Sequence, residues 1–104
     1  GTERNRAMKR LRISRPADTD MLEAWLHIAT DNSTAADAFI DEICAAMERL
    51  SRHPASGRLR DEFGSGMRSV VVQPYIIIYS ETDETVDILR VLHGARDIDS
   101  MFGA

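Results

Sequence analysis

The chain has 104 residues and a net charge of −4, with 43% apolar and 29% charged side chains. That size holds one modest core, and no apolar run approaches the roughly 20 residues that span a bilayer. Nucleic-acid affinity comes largely from cations neutralising phosphates, so an acidic chain whose only lysine is Lys9 is expected to bind neither RNA nor DNA directly, and no membrane.

Residues 1–7 lack the apolar core of a signal peptide. They read as an expression remnant or loose arm, with Met8 the expected native start and residues 8–104 a single domain. Residues 8–14 alternate Lys9, Arg10 and Arg12 with Met8, Leu11 and Ile13, the pattern of a short edge strand whose charges discourage stray pairing. Ser14 is placed to cap a helix, and Pro16 is tolerated in its first turn. Asp18, Asp20 and Glu23 set negative charge near the positive end of the helix dipole. Ala17, Met21, Leu22, Trp25, Ile28 and Ala29 then mark one face of a helix of about four turns.

Asp31-Asn32-Ser33 interrupts that face and caps a second helix, with a stripe of Ala36, Phe39, Ile40, Ile43, Met47 and Leu50 that Pro54 and Gly57 end. So short a connection implies an antiparallel helical hairpin. Residues 53–66 read as loop, and residues 49–68 hold five basic side chains against two acidic ones, a basic segment on an acidic body. Residues 67–73 and 75–80 read as strands parted by Pro74, which cannot donate a ladder hydrogen bond. A turn over residues 81–84 leads into a strand over 85–93, then a polar corner and a helical turn over 98–102.

The expected order is β-α-α-β-β-β(-α), an α+β fold with an antiparallel sheet packed on the hairpin. Period-2 geometry puts Val86, Ile88 and Leu92 on one face of the last strand and Leu89 and Val91 on the other. Two helices cover only one face of a small sheet. The other face is therefore expected to offer apolar surface to a partner.

Five landmarks stand out in their joint order and spacing. They are Ala17 with Asp20 and Leu22; His53-Pro54-Ala55-Ser56-Gly57-Arg58; Gly66-Met67-Arg68; Tyr75-Ile76-Ile77-Ile78-Tyr79; and Ile88-Leu89-Arg90-Val91-Leu92-His93-Gly94-Ala95-Arg96-Asp97. Over nearly all of residues 8–102 the chain resembles the ParE branch of the ParE/RelE toxins, the plasmid stabilization proteins of bacterial toxin–antitoxin modules. The resemblance implies a RelE/ParE toxin-like fold and a cytoplasmic type II toxin held in a hetero-oligomer by a cognate ParD-like antitoxin. It further implies, for the ParE branch, inhibition of DNA gyrase by binding and not by catalysis. The RelE branch offers the alternative, a ribosome-dependent mRNA endoribonuclease; a third reading is an inactive relative kept for its antitoxin complex.

For the binding reading, the residues expected to meet the antitoxin are Trp25, Arg68, Tyr79, Val86, Ile88, Arg90 and Leu92. For the nuclease, the candidates are Arg68, Arg90, His93 and Arg96, since RNA cleavage needs a base for the 2′-hydroxyl, a cation for the phosphate and an acid for the leaving oxygen. Phe102 has no hydroxyl to serve as a terminal catalytic tyrosine, so no catalytic residue is assigned. The structural alternatives are that Arg68 pairs with Asp61 or Glu62, that Arg90 meets an acidic group, and that Asp97 caps the last turn. Tyr75 and Tyr79 share a strand face and suit core packing with hydroxyls reaching water, and the Trp25 indole N–H needs an acceptor. His27, His53 and Cys44 lack metal-ligand spacing; Cys44 reads as a small apolar filler, and as the lone cysteine it suits a reducing compartment. Gly64-Ser65-Gly66 is not a phosphate loop, and no metal or cofactor is expected.

Overall fold

The computed structural model describes residues 8–98. Strand β1 (Arg10–Ile13) leads into helix α1 (Arg15–Ala29) and helix α2 (Ser33–Arg52). A 3₁₀ turn (Pro54–Ser56) and strand β2 (Arg58–Leu59) follow, then β3 (Arg68–Val72), β4 (Tyr75–Glu81) and β5 (Thr85–His93). One sheet results, in the order β1-β5-β4-β3-β2, with the helical hairpin packed on one face. The α+β architecture is the expected one. The expected arm over residues 1–7 lies outside the described residues, as do Phe102 and all of the expected terminal turn beyond Ile98.

Both helices start on side-chain caps. The Ser14 hydroxyl accepts from the Ala17 amide at 3.1 Å, and the Asn32 side chain accepts from the Ala35 amide at 3.0 Å; each satisfies an amide the first helical turn leaves without a partner. Ser14 also ties the helix to the sheet, its amide donating to the Ile88 carbonyl at 3.0 Å and its hydroxyl to the Leu89 carbonyl at 2.9 Å. The stripe on α2 is buried much as its period requires, with Ala36, Phe39, Ile43, Met47 and Leu50 under the sheet and Ile40 half-buried. On α1 the buried line runs instead through Ala17, Asp20 and Ala24, while Leu22 faces solvent. Small alanines let the helix sit close to β5, and the larger residues are left on its flanks.

Three features of the sheet differ from the expected meander. First, β1 pairs with β5 in parallel, Arg10 opposite Thr85 through Ile13 opposite Ile88. Parallel neighbours need a long connection; here it comprises both helices and three strands, which no local pattern can announce. Second, β2 lies inside the expected loop, pairing Arg58 with Ser69 and Leu59 with Arg68. Two residues are too few to show an alternation.

A third difference reassigns the faces of β5. The β4–β5 register passes from Ile78 opposite Arg90 to Tyr79 opposite Ile88, so Leu89 is a bulge with no partner. One extra residue reverses the phase of everything beyond it. Val86 and Ile88 therefore share the helix-covered face with Val91, whereas Leu92 lies on the other face with Ile76, its partner across the strands. Nor is that outer face the open apolar field expected. Ile78 is 1% exposed and Leu92 4%, and Arg60, from the β2–β3 connection, reaches over to bond Ser69 at 3.1 Å, next to Ile78.

Candidate partner-binding surface

Of the seven residues expected to meet a partner, four are interior. Tyr79, Val86 and Ile88 are all 0% exposed within the core beneath the helices, and Leu92 is buried on the outer face. They support a surface but do not form one. The expectation of Tyr79 with a hydroxyl in water is likewise corrected: that hydroxyl donates to the Pro54 carbonyl at 2.7 Å and accepts from the Gly57 amide at 2.9 Å. Burial holds the phenol pKa above its ordinary value, outweighing the Gly57 hydrogen bond and the nearby Arg68, so it stays a neutral donor.

Arg68 completes the same clamp from β3, donating to the Gly57 carbonyl at 2.9 Å and the Ala55 carbonyl at 3.3 Å. It does not pair with Asp61 or Glu62; Glu62 takes Arg60 instead, at 2.8 Å. Between them, Tyr79 and Arg68 fix the turn that carries the His53-to-Arg58 landmark.

Arg90 does meet an acidic group. Its Nε and Nη2 donate to the two carboxylate oxygens of Asp20 at 2.7 and 2.9 Å, a two-pronged pair. Asp20 also accepts the Val91 amide at 2.9 Å. That amide lies beyond Ile88, where β1 ends, so the helix carboxylate caps a ladder position that has no strand beside it. The shared hydrogen bond to Asp20 raises the Arg90 pKa, against the effect of burial.

The nuclease candidates are not assembled. Arg68 and Arg90 stand on β3 and β5 with β4 between them, about 10 Å apart by strand spacing alone, and each is engaged separately, Arg68 with the 53–57 turn and Arg90 with Asp20. His93 lies opposite Tyr75 and packs edge-on against its ring, at the far end of β4 from Tyr79. Arg96 bonds Asp97 at 3.1 Å, and Asp97 accepts the His93 amide at 2.8 Å, which closes the end of β5; the turn Asp97 was expected to cap lies outside the described residues beyond Ile98.

Burial raises the Asp97 pKa, but the His93 amide, then Arg96, outweigh it and leave the group below its usual value of 3.8. A depressed pKa in the folded state means stabilisation that is present above the unfolded value and lost as pH falls through the folded one. In acid titrations followed by circular dichroism, the stability gap between the native protein and Asp97→Asn should therefore close as pH drops below about 4. A gap that widened there would contradict the assignment.

The accessible apolar residues lie elsewhere. On α1, Leu22 is 59% and Leu26 53% exposed, and half-buried Trp25 sits between them with its indole N–H donating to Asp37 of α2 at 2.9 Å. Spacings of three and four residues make these three neighbours on one helix surface. Leu26 falls outside the stripe read from the sequence, which follows the side of the helix that carries Ala17 and Ile28. Leu22 and Leu26, on the side of the helix away from Ala17 and Ala24, are the signal that marks it. Beside them Arg15, Pro16, Thr19, Asp20, Glu23 and Arg90 line a shallow cleft of about 370 Å³. Cys44 is exposed and not the filler expected. Among the described residues no cluster of three or more His, Cys, Asp or Glu could hold a metal, and no helix is long and apolar enough to cross a membrane.

Comparison with known proteins agrees with this geometry. Residues 11–98 match the model of the ParE toxin of type II toxin–antitoxin systems, parDE. Toxin ParE3 of Caulobacter vibrioides is 30% identical over 97 residues, covering 92% of this chain and 97% of that protein. Toxin ParE1 of Mycobacterium tuberculosis is 34% identical over 65 residues, 62% of this chain and 66% of that one. In fold, the chain resembles one from the chromosomal ParDE system of P. aeruginosa, with a TM-score of 0.72 at 19% identity, covering 84% of this chain and 97% of that one. It also resembles one from the RelBE2 toxin–antitoxin complex of M. tuberculosis, with a TM-score of 0.56 at 28% identity, covering 83% and 98%. With the family model spanning the sheet and both helices, the chain belongs to the ParE toxin family of type II toxin–antitoxin systems.

Proposed function

We propose that this toxin acts by binding DNA gyrase in the cytoplasm, without bond chemistry of its own, and that a ParD-like antitoxin neutralises it in a hetero-oligomer. The observation that carries the reading is the pair of exposed leucines on α1, Leu22 and Leu26, flanking Trp25; the other large apolar side chains exposed among the described residues, Met8, Ile13, Leu59 and Val71, lie on or beside edge strands. An amphipathic helix of an antitoxin that folds on contact fits such a stripe. Arg90, its side chain 35% exposed beside Asp20, lines the adjoining cleft and offers its outer edge to an acidic side chain. Arg68 contributes by holding the 53–57 turn. The scattering of Arg68, Arg90, His93 and Arg96 supports a toxin that works by contact.

The double variant Leu22→Asp/Leu26→Asp tests the surface. Both residues are solvent-facing, so the thermal midpoint should shift little, within about 0.5 kcal/mol of stability per site. Affinity for the cognate antitoxin in titration calorimetry should fall about 100-fold, the loss of one or two central apolar anchors. Unchanged affinity would remove α1 from the interface. For the target, induction of the toxin alone should give filamentation and DNA-damage signalling while translation continues. Early arrest of protein synthesis would overturn the gyrase reading.

A further inference from the structure

A second accessible surface lies at the opposite edge of the sheet. β2 pairs with β3 only as far as Ser69, so residues 70–72 have a strand on one side alone. The Arg60 amide donates to the Met67 carbonyl at 2.7 Å, which puts residues 67, 69, 71 and 73 in the phase that turns its backbone groups toward β2. Beyond the end of β2, the Val71 amide and carbonyl therefore face outward with no strand to receive them. The side chain of Val71 is 59% exposed.

Two cavities flank this edge where it passes α2. One, of about 260 Å³, is lined by Ala46, Arg49, Leu50, His53, Ser56, Val70 and Val71. The other, of about 290 Å³, is lined by Glu42, Ala45, Arg49, Val71, Val72 and Gln73. Arg49 and Val71 are common to both. Among the described residues Arg49 makes no ion pair, and nor does Arg52, one helical turn further along. The other open edge, β1, is differently equipped: it carries Arg10 and Arg12 on the strand itself, and the Lys9 amide at its start is already bonded to the Ser51 carbonyl at 2.8 Å. Charges on a strand discourage pairing. Beyond Arg68 and Ser69, which pair with β2, the open part of β3 is three consecutive valines with no charge among them.

The geometry points to residues 70–73 as a docking edge for an extended, acidic segment of the antitoxin, added as a strand beside β3. Its backbone bonds Val71, alternate apolar side chains enter the two cavities, and a carboxylate meets Arg49, with Glu42 favouring a neutral or basic residue at the far end. Strand addition takes affinity from backbone bonds and specificity from alternate side chains, and the cation shared by both cavities selects the charge. The inference rests on the antitoxin reading for the identity of the partner, not for the existence of the site.

The test uses the purified protein and two synthetic eight-residue peptides that alternate valine with either glutamate or lysine. The glutamate peptide should perturb the amide resonances of residues 70–73 and slow hydrogen exchange at Val71, and the lysine peptide should not. Arg49→Glu should weaken the glutamate peptide about tenfold and let the lysine peptide bind. Arg49→Gln, a milder change on the exposed side of α2, should weaken the first without admitting the second. Perturbations confined to β1, or indifference of either peptide to Arg49→Glu, would overturn the assignment. Leu22→Asp/Leu26→Asp should leave peptide binding intact, so failure of the α1 surface and failure of this edge are separable.

Discussion

Asp20→Ala is expected to lower the thermal midpoint by about 15 °C, from a loss of about 3 kcal/mol in a domain of this size. The reason is that one carboxylate serves three donors. Arg90 contributes two of them, at 2.7 and 2.9 Å, and the Val91 amide the third. Truncation leaves the guanidinium facing α1 without its counter-charge and the Val91 amide without an acceptor, and each unsatisfied group carries its own desolvation penalty. Because the Arg90 side chain is 35% exposed, water recovers part of its share. A double-mutant cycle divides the effect: Arg90→Ala alone should cost less than Asp20→Ala, since Asp20 keeps its bond to Val91. The two changes together should cost clearly less than their sum. Additive losses, or a midpoint shift under about 5 °C for Asp20→Ala, would show that the cap on β5 contributes little.

Gly57→Ala should be comparably damaging, costing about 3 kcal/mol at the upper end for an overpacked site. A Cβ at this position would stand 2.8 Å from Tyr79 Cε1 and 2.9 Å from the Ser69 carbonyl, besides meeting the Tyr79 hydroxyl. The backbone here is extended, so the requirement is for space and not for an unusual dihedral. The added methyl displaces the turn from the Tyr79 hydroxyl and from Arg68 together, breaking bonds to Pro54, Gly57 and Ala55 in one step. Tyr79→Phe alone, which removes only the hydroxyl, should cost about 1–3 kcal/mol, the penalty for orphaned partners. Combined with Gly57→Ala it should be less than additive, because the removed oxygen is one of the atoms the methyl strikes. Chemical denaturation of the four proteins is the measurement; a Gly57→Ala variant as stable as the native chain would dismiss the clamp.

What the sequence discloses and what it withholds divide along physical lines. The α2 stripe is legible because a large apolar side chain recurs at each turn of a long, capped helix. The strands of the β3–β4–β5 meander are legible because β-branched runs are bracketed by Pro74 and an acidic turn. On α1 the same reasoning finds Ala17 but includes the solvent-facing Leu22 and leaves out Ala24, because the close approach to β5 runs through small residues and Asp20, which carry little apolar signal. The bulge at Leu89 is invisible for another reason: an unpaired residue is defined only against its partner strand. From that one bulge follows the separation of Val86 and Ile88 from Leu92, which strict alternation puts on a single face. Arg90 was expected near an acid, but that the acid would be Asp20, from a residue ordinarily read as a dipole-stabilising charge, depends on contact between groups 70 positions apart.

The parallel pairing of β1 with β5 has a consequence for synthesis. Among the described residues the first strand, β1, finds its one neighbour in the last, β5, and Ser14, which caps α1, is anchored to the Ile88 and Leu89 carbonyls of that same strand. A nascent chain halted before β5 has a hairpin of helices and a partial meander, but no sheet for its opening strand to join. Long-range closure of this kind is slow and comes late. The sheet therefore cannot close until synthesis has passed β5, and the opening strand made long before must wait for it.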